Sequence, residues 1–141
     1  IKYSDLTNIK IQEAKGRFEI VNDSPIKVID GAHNYEGVEI LLRNYENKYG
    51  NLNTDIFLGF KKGKDINSIL NLIIGKTNYN LHLIEDDTFF DQEITKEIGY
   101  LLDKHGKNYK ISSLEQFNRN KNPSILLGSL YLIGEYKKRN I

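Results

Sequence analysis

Short apolar runs alternate with amphipathic segments along most of this chain of 141 residues. The runs at 26–30, 54–60 and 124–129 are rich in apolar residues, and the segments between them carry apolar residues at helical spacing. Strands that are apolar on both faces occur where helices cover both sides of a parallel sheet. The pattern therefore predicts an α/β domain of three layers and Rossmann type, with a mostly parallel sheet of about six strands flanked by helices.

The same pattern gives the predicted elements in order. Strands are predicted at 18–21, 26–30, 54–60, 80–85, 108–112 and 124–129. Helices are predicted at 35–49, after an Asp65 N-cap, at 91–104, after a Ser112/Glu115 capping box, and in a C-terminal segment that ends in Lys-Lys-Arg. In residues 1–16 the apolar residues recur with no clean period, so we expect a linker or the end of a preceding element there. Residues 17–141 are expected to form one domain.

Composition excludes several classes of function. The net charge of +1 provides no basic field for nucleic acid. The sequence lacks an apolar run near 18 residues, a signal-peptide layout and cysteine, so we expect no membrane partner and a cytoplasmic location. The absence of Met predicts a fragment or a trimmed chain. Lysine outnumbers arginine 16 to 4, amid many Ile, Asn and Tyr, which indicates a bacterium with an A/T-rich genome.

Three polar clusters fall at predicted strand ends, where ligands bind in such sheets: Asp30–Asn34, Lys61–Asp65 and Gly128–Ser129. In the first cluster, Asp30 can accept hydrogen bonds from ribose hydroxyls, and His33 can donate to phosphate or carboxylate oxygens. Asn34 can cap the following helix. The alternative is that Asp30 and Asn34 only satisfy turn and cap amides, with His33 at the surface. Local chemistry leaves both interpretations open.

The second cluster does not form a phosphate-binding loop of the Walker A type. Gly59 and Gly63 enclose three residues rather than four, and Asp65 follows Lys64 where Ser or Thr is required. The lysines could hold a carboxylate, or they could form a solvated turn.

The third cluster predicts that Ser129 is an N-cap whose neighbouring amides face an anion. The remaining histidines, His82 and His105, are predicted to be structural. No His/Asp/Glu spacing indicates a zinc site, and no metal site is expected in this chain.

Four segments together resemble the C-terminal domain of folylpolyglutamate synthase/dihydrofolate synthase, a branch of the Mur ligase superfamily: GRFEIV, VIDGAHNYEGVEILL, GKD and GSLYLIGE. The resemblance runs from about Gly16 to the end of the chain. It implies an ATP-dependent ligase that joins L-glutamate to folate or dihydropteroate through an acyl phosphate. ATP and Mg²⁺ would be its cofactors. The chain would be a Mur ligase-like C-terminal domain, and residues 1–16 would link it to, or end, a preceding central domain.

The resemblance also implies roles for single residues. Arg17 matches an arginine that reaches the nucleotide phosphates, and Asp30 matches an acid that contacts the ribose. His33 matches a histidine that faces the phosphates and acts in catalysis, with Asn34 beside it in the nucleotide site. Lys62 or Lys64 would meet the carboxylate of glutamate, with Ser129 next to it.

The chain departs from the family pattern at two places. Tyr35 stands where Pro is usual, and Ala14-Lys15 stand where Trp-Pro is common, so the entry of the linker is expected to differ. The P-loop and the Mg²⁺ ligands would lie in a central domain that these residues do not encode, so we expect the chain alone to be inactive. The alternative function is a separate binding module for a nucleotide or an amino acid, without catalysis.

Overall fold

The computed structural model describes residues 16–61, 65–86 and 92–140, so only Gly16 of the predicted linker at 1–16 falls within it. Within these ranges the strands are β1 (Glu19–Asp23), β2 (Ile26–Asp30), β3 (Thr54–Leu58), β4 (Tyr79–Ile84), β5 (Tyr109–Ser112) and β6 (Ser124–Leu127). The helices are α1 (Tyr35–Tyr49), α2 (Ile66–Ile74), α3 (Gln92–Lys104), α4 (Leu114–Arg119) and α5 (Leu130–Arg139). No helix in this part of the chain has the length and apolar character that crossing a bilayer requires.

All six strands form one sheet, in the order β1-β2-β6-β3-β4-β5. β1 pairs antiparallel with β2 at one side of the sheet, and every other neighbouring pair is parallel. The predicted mostly parallel α/β sheet is therefore confirmed. Because the parallel strands run in one direction, their carboxyl ends share one edge of the sheet, where β2, β6 and β3 end side by side.

Alternate residues of the central strands face two separate cores, as the pleat requires. On one face Val28, Ile56 and Leu127 pack against apolar residues of α1, α2 and α3. On the other face Ile29 and Phe57 pack against α4 and α5. These two cores make the sheet the middle of three layers, as predicted.

The start of α4 differs from the prediction by one residue. The Ser113 hydroxyl accepts from the backbone amide of Gln116 at 3.1 Å, and the Gln116 side chain accepts from the Ser113 amide at 2.6 Å. The predicted capping box of Ser112 and Glu115 is wrong, because Ser112 is the last residue of β5 and its hydroxyl lies 2.9 Å from His82 Nδ1.

Asp65 occupies the N-cap position of α2, as predicted, but its side chain makes no capping hydrogen bond. β3 and β6 end at Leu58 and Leu127, earlier than predicted, and a glycine follows each of them. The amide of Gly59 still donates to the Leu127 carbonyl at 3.0 Å. The two strands therefore stay paired up to the point where the chain leaves the sheet.

Candidate functional site

Glycines at three neighbouring strand ends let the backbone come unusually close. Gly31, Gly59 and Gly128 directly follow β2, β3 and β6. Gly128 has a φ of +123°, which favours glycine, and a Cβ there would overlap the Gly59 carbonyl. A Cβ on Gly31 would overlap the Leu130 side chain at the start of α5. The carboxyl edge of the sheet is thus built from tightly apposed turns that lead into helix starts.

A cavity of about 420 Å³ lies at this edge, beside the end of β2. All four residues predicted to bind the nucleotide line it: Arg17, Asp30, His33 and Asn34. The fold therefore brings together the four side chains that were predicted to share a site.

Asp30 is almost completely buried, at 6% exposure. Its carboxylate accepts from the Ala32 amide at 2.8 Å and from the Phe18 amide at 3.0 Å. Burial raises the pKa of this carboxyl, although the two amides and the nearby Arg17 charge oppose the rise. The side chain therefore holds the turn after β2 against the Arg17–Phe18 segment. Each of its oxygens keeps a further lone pair for a ligand hydroxyl.

His33 is half-buried, and its Nδ1 lies 3.0 Å from the Gly31 carbonyl oxygen. A carbonyl can only accept, so this nitrogen carries a hydrogen and the neutral ring has its acceptor at Nε2. Protonation would make Nε2 a second donor. The imidazole is oriented by the backbone of the turn it follows, which suits a group that must meet a ligand in a fixed position.

Asn34 is the N-cap of α1, as predicted: its side-chain oxygen accepts from the Gly37 amide at 2.8 Å. Glu36 in the first turn suits the positive end of the helix dipole, but it also adds a negative charge to the cavity wall. The start of α1 is therefore occupied by its own cap and acid. Positive charge in the cavity comes from Arg17 instead.

Arg17 is exposed and differs from the other arginines of the chain. Each of the others pairs with a carboxylate: Arg43 with Glu39, Arg119 with Glu115, and Arg139 with Asp86 and Glu135. No ion pair of Arg17 occurs within the described ranges. Its guanidinium is therefore available to an anionic ligand at the mouth of the cavity.

The predicted glutamate-binding residues fall mostly outside the described residues. Lys62 and Lys64 both lie there, so the structure does not test them. Ser129 is buried and caps α5 as predicted, because its hydroxyl accepts from the Tyr131 amide at 3.1 Å and the Leu132 amide at 3.4 Å. It does not line the cavity that holds Arg17 and His33.

One contact and two cavity residues at this edge were not predicted from the sequence. The Lys61 ammonium lies 3.8 Å from the centre of the Tyr131 ring, which places this side chain over the start of α5. Ile40 and Asn44 of α1 also line the cavity, and Ile40 is 52% exposed. A signal existed for these two, since Glu36, Ile40 and Asn44 recur every fourth residue and so share one helix face.

His82 is structural, as predicted: its ring stacks on Phe57 with centroids 4.2 Å apart. No group of three His, Asp or Glu side chains in the described residues could hold a metal ion. The described residues therefore provide no ligand set of three such side chains for Mg²⁺.

No protein-family model matches the sequence, and no curated protein matches it. Several solved structures, among them the following three, are similar to the chain. The folylpolyglutamate synthase of Thermotoga maritima superposes with a TM-score of 0.73 at 23% identity, over 87% of this chain and 30% of that chain. The folylpolyglutamate synthase of Mycobacterium tuberculosis, complexed with ADP, gives 0.67 at 16% identity, over 88% and 32%. The bifunctional folylpolyglutamate synthase/dihydrofolate synthase of Yersinia pestis, complexed with AMPPNP and Mn ion, gives 0.66 at 19% identity, over 89% and 31%.

This chain therefore spans about 30% of the length of the enzymes it resembles. At these identities the similarity establishes the fold, and it confirms at that level what the sequence resemblance implied: the chain has the fold of one domain-sized part of the folylpolyglutamate synthase structures.

Proposed function

We propose that this chain is the C-terminal domain of an ATP-dependent ligase that adds L-glutamate to folate or dihydropteroate. The domain would close over the nucleotide and bind glutamate, while a central domain in the same protein carries the P-loop. The folate-ligase fold supports this proposal, and so do the sequence motifs that fall at the carboxyl edge of the sheet. We further propose that the ligase is bacterial and works in the cytoplasm.

One observation carries the proposal: Arg17, Asp30, His33 and Asn34 converge on one cavity at the edge where α/β sheets bind ligands. These residues come from two separate places: the segment before β1, and the end of β2 with the turn that follows it. If Asp30 and Asn34 served only the turn and the helix cap, nothing would explain why Arg17 lies beside them without an ion pair among the described residues.

In the proposed reaction a substrate carboxylate attacks the γ-phosphorus of ATP, which forms an acyl phosphate and releases ADP. The glutamate amine then attacks the acyl carbon, loses a proton, and expels inorganic phosphate. Arg17 and the His33 imidazolium would stabilise the charge on the phosphoryl oxygens. Asp30 would accept from the ribose hydroxyls through its remaining lone pairs.

Mg²⁺ neutralises phosphate charge in such reactions. The described residues gather no group of three His, Asp or Glu side chains that could hold the ion, and its protein ligands would lie in the central domain.

The proposed glutamate subsite is formed by Lys62 or Lys64 together with Ser129. Glutamate has two carboxylates, which require cations or helix amides. The contact between Lys61 and the Tyr131 ring supports this subsite, because Lys61 directly precedes Lys62 and its ammonium lies over the helix that Ser129 caps. Replacing the correct lysine with Ala should raise the KM for glutamate about ten- to a hundredfold, with less effect on the KM for ATP.

The test is incorporation of labelled glutamate by the full-length protein that contains this chain, with folate and dihydropteroate as alternative acceptors. We expect ATP-dependent incorporation, a fall with Arg17→Ala, and no change with Arg119→Ala, an exposed arginine on α4. The isolated chain should release no ADP in response to glutamate. A full-length protein that forms no amide with either acceptor would contradict the proposal, and nucleotide binding without ligation would favour the non-catalytic module.

A further inference from the structure

A second cavity, of about 580 Å³, lies at the amino ends of β3, β4 and β5, on the opposite edge of the sheet from the candidate nucleotide site. Asn80, His82 and Lys110 share one face of the sheet and line it, together with Asn120 and Asn122 from the loop before β6. The proposed ligase reaction uses none of these residues. We call this cavity the amino-edge cleft.

Asp55, at 5% exposure, organises one end of the amino-edge cleft. The Asn80 side-chain amide donates to its Oδ1 at 3.1 Å. The amides of Asn120 and Asn122 donate to its Oδ2 at 2.9 and 3.1 Å. Because carboxylate oxygens accept, the nitrogen of each amide must turn towards Asp55. One buried carboxylate thus fixes the orientation of three asparagine side chains.

This orientation leaves acceptors at the amino-edge cleft. The side-chain carbonyl oxygens of Asn80, Asn120 and Asn122 receive no hydrogen bond from the described part of the chain. Three carbonyl oxygens next to a carboxylate form a surface that favours a donor with positive charge. An ammonium group has three donors and no acceptor, so it fits this end of the cleft.

The other end of the cleft is positive. Lys110 is exposed on β5, directly opposite His82 in the β4–β5 register, and no ion pair of Lys110 occurs among the described residues. His82 Nε2 lies 3.8 Å from Asp55 Oδ2, so the imidazole stands between the carboxylate and the lysine. Since β3 and β5 flank β4, about 10 Å separates the strands that carry the two charges.

We propose that the amino-edge cleft binds a small zwitterion of the α-amino acid class. Its ammonium would lie against the three asparagine carbonyl oxygens and Asp55, and its carboxylate would meet Lys110. If the bound amino acid has a second carboxylate in its side chain, that carboxylate would contact Lys107, which also lines the cleft. The proposal stands on the amino edge alone and does not depend on the proposed ligase function.

The test is an NMR titration of the 141-residue chain with L-aspartate, followed at the imidazole signals of its three histidines. We expect a saturable shift of the His82 ring, with His33 and His105 unchanged. N-acetyl-L-aspartate, which lacks the ammonium, should bind about tenfold more weakly or worse. Absence of a saturable His82 shift would overturn the proposal, and so would equal binding of the acetylated compound.

Lys110→Ala is the matching variant, and it should weaken L-aspartate binding about tenfold. Lys110 is exposed, so its removal leaves both cores intact. The control is Lys96→Ala, an exposed lysine on α3 that does not line the cleft and should leave binding unchanged. Undiminished binding to Lys110→Ala would overturn the carboxylate end of the site. Sorbitol that shifts His82 as strongly as L-aspartate would show a polyol site instead.

Discussion

Glu46 near the amino edge of the sheet and Asp30 at the carboxyl edge are both carboxylates held against the core, but their surroundings differ. The Tyr79 hydroxyl donates to Glu46 at 2.6 Å and the Lys76 ammonium at 2.9 Å. Burial would raise the pKa of Glu46, but these hydrogen bonds and the lysine charge outweigh it and leave the pKa below its usual value. The charged form of Glu46 therefore stabilises the fold.

Asp30 lacks a side-chain donor of that kind in the described residues. Among the described residues, the donors to Asp30 are two backbone amides, and burial raises its pKa. Its charged form therefore costs stability, while Arg17 and His33 beside it face the cavity without carboxylate partners in the described structure. Glu46 is thus held in its charged form by a lysine and a tyrosine of the fold, whereas the Arg17 cation near Asp30 remains available to a ligand.

The geometry of the carboxyl edge can be broken most severely at Gly128. Gly128→Ala should lower the free energy of unfolding by about 2–5 kcal/mol, because the residue has a left-handed φ and the new Cβ overlaps the Gly59 carbonyl. Urea unfolding followed by circular dichroism measures the change. Gly134→Ala is the control: its Cβ meets nothing within 4 Å inside α5, so it should stabilise the chain by about 0.5–1 kcal/mol. A harmless Gly128→Ala would contradict the close approach of the two turns.

The second prediction concerns His33 at the carboxyl edge and its effect on catalytic activity. In a full-length protein with the proposed ligase activity, His33→Ala should lower kcat/KM by about 30- to 1,000-fold, which corresponds to about 2–4 kcal/mol of lost transition-state stabilisation. Steady-state kinetics with ATP and glutamate measure it. His105→Ala removes an exposed imidazole next to α3 and should leave turnover unchanged. Wild-type turnover of His33→Ala would reduce this residue to a part of the turn.

A third effect compares the two carboxylates directly through their amide replacements. Glu46→Gln should lower the free energy of unfolding at neutral pH by about 1–2 kcal/mol, because the charge that Lys76 and Tyr79 stabilise is lost. Asp30→Asn should change it by less, since relief of the buried charge offsets the loss of one acceptor. The denaturant midpoints of the two variants and of the wild type measure these changes in stability. A larger loss for Asp30→Asn would reverse the comparison.

The smallest effect is the pH dependence of these differences. The lowered pKa of Glu46 contributes stability above the unfolded-state value of about 4.3, which is lost as pH falls through the lower folded-state pKa. The advantage of the wild type over Glu46→Gln should therefore shrink on acidification. The raised pKa of Asp30 acts in the opposite direction: the wild type should gain relative to Asp30→Asn as pH falls. If the wild type gained, or lost, stability relative to both variants as pH falls, the opposite pKa shifts of Glu46 and Asp30 would be contradicted.

Local patterns in the sequence were enough to predict most of the helices and strands. The spacing of Val38, Leu41, Leu42 and Tyr45 predicted α1 over 35–49, and the structure has those bounds. The Asp-Gly-Ala-His-Asn turn was placed at a strand end for the same reason, since an apolar run ends there and a helical period begins. The approach of Arg17 to that turn, by contrast, came from the family resemblance.

Contacts between distant residues could not be predicted. Ser112 and Ser113 both have an acceptor side chain three residues later, and the choice between them depends on His82, thirty residues from Ser112. The amino-edge cleft was missed for the same reason. Asp55 meets Asn120 and Asn122 across 65 and 67 residues, which no local period reveals.

If the cavity beside β2 binds a nucleotide, the three histidines of the chain should report it, because His33 alone among them lines that cavity. We propose an ADP titration of the 141-residue chain, followed at the imidazole signals by NMR. We expect a saturable shift of His33, with His82, which stacks on Phe57, and His105, which follows α3, unchanged. Binding to the chain alone should be weak, since the phosphate loop would lie in another domain. A His33 signal that moves no more than the signals of His82 and His105 would contradict the claim.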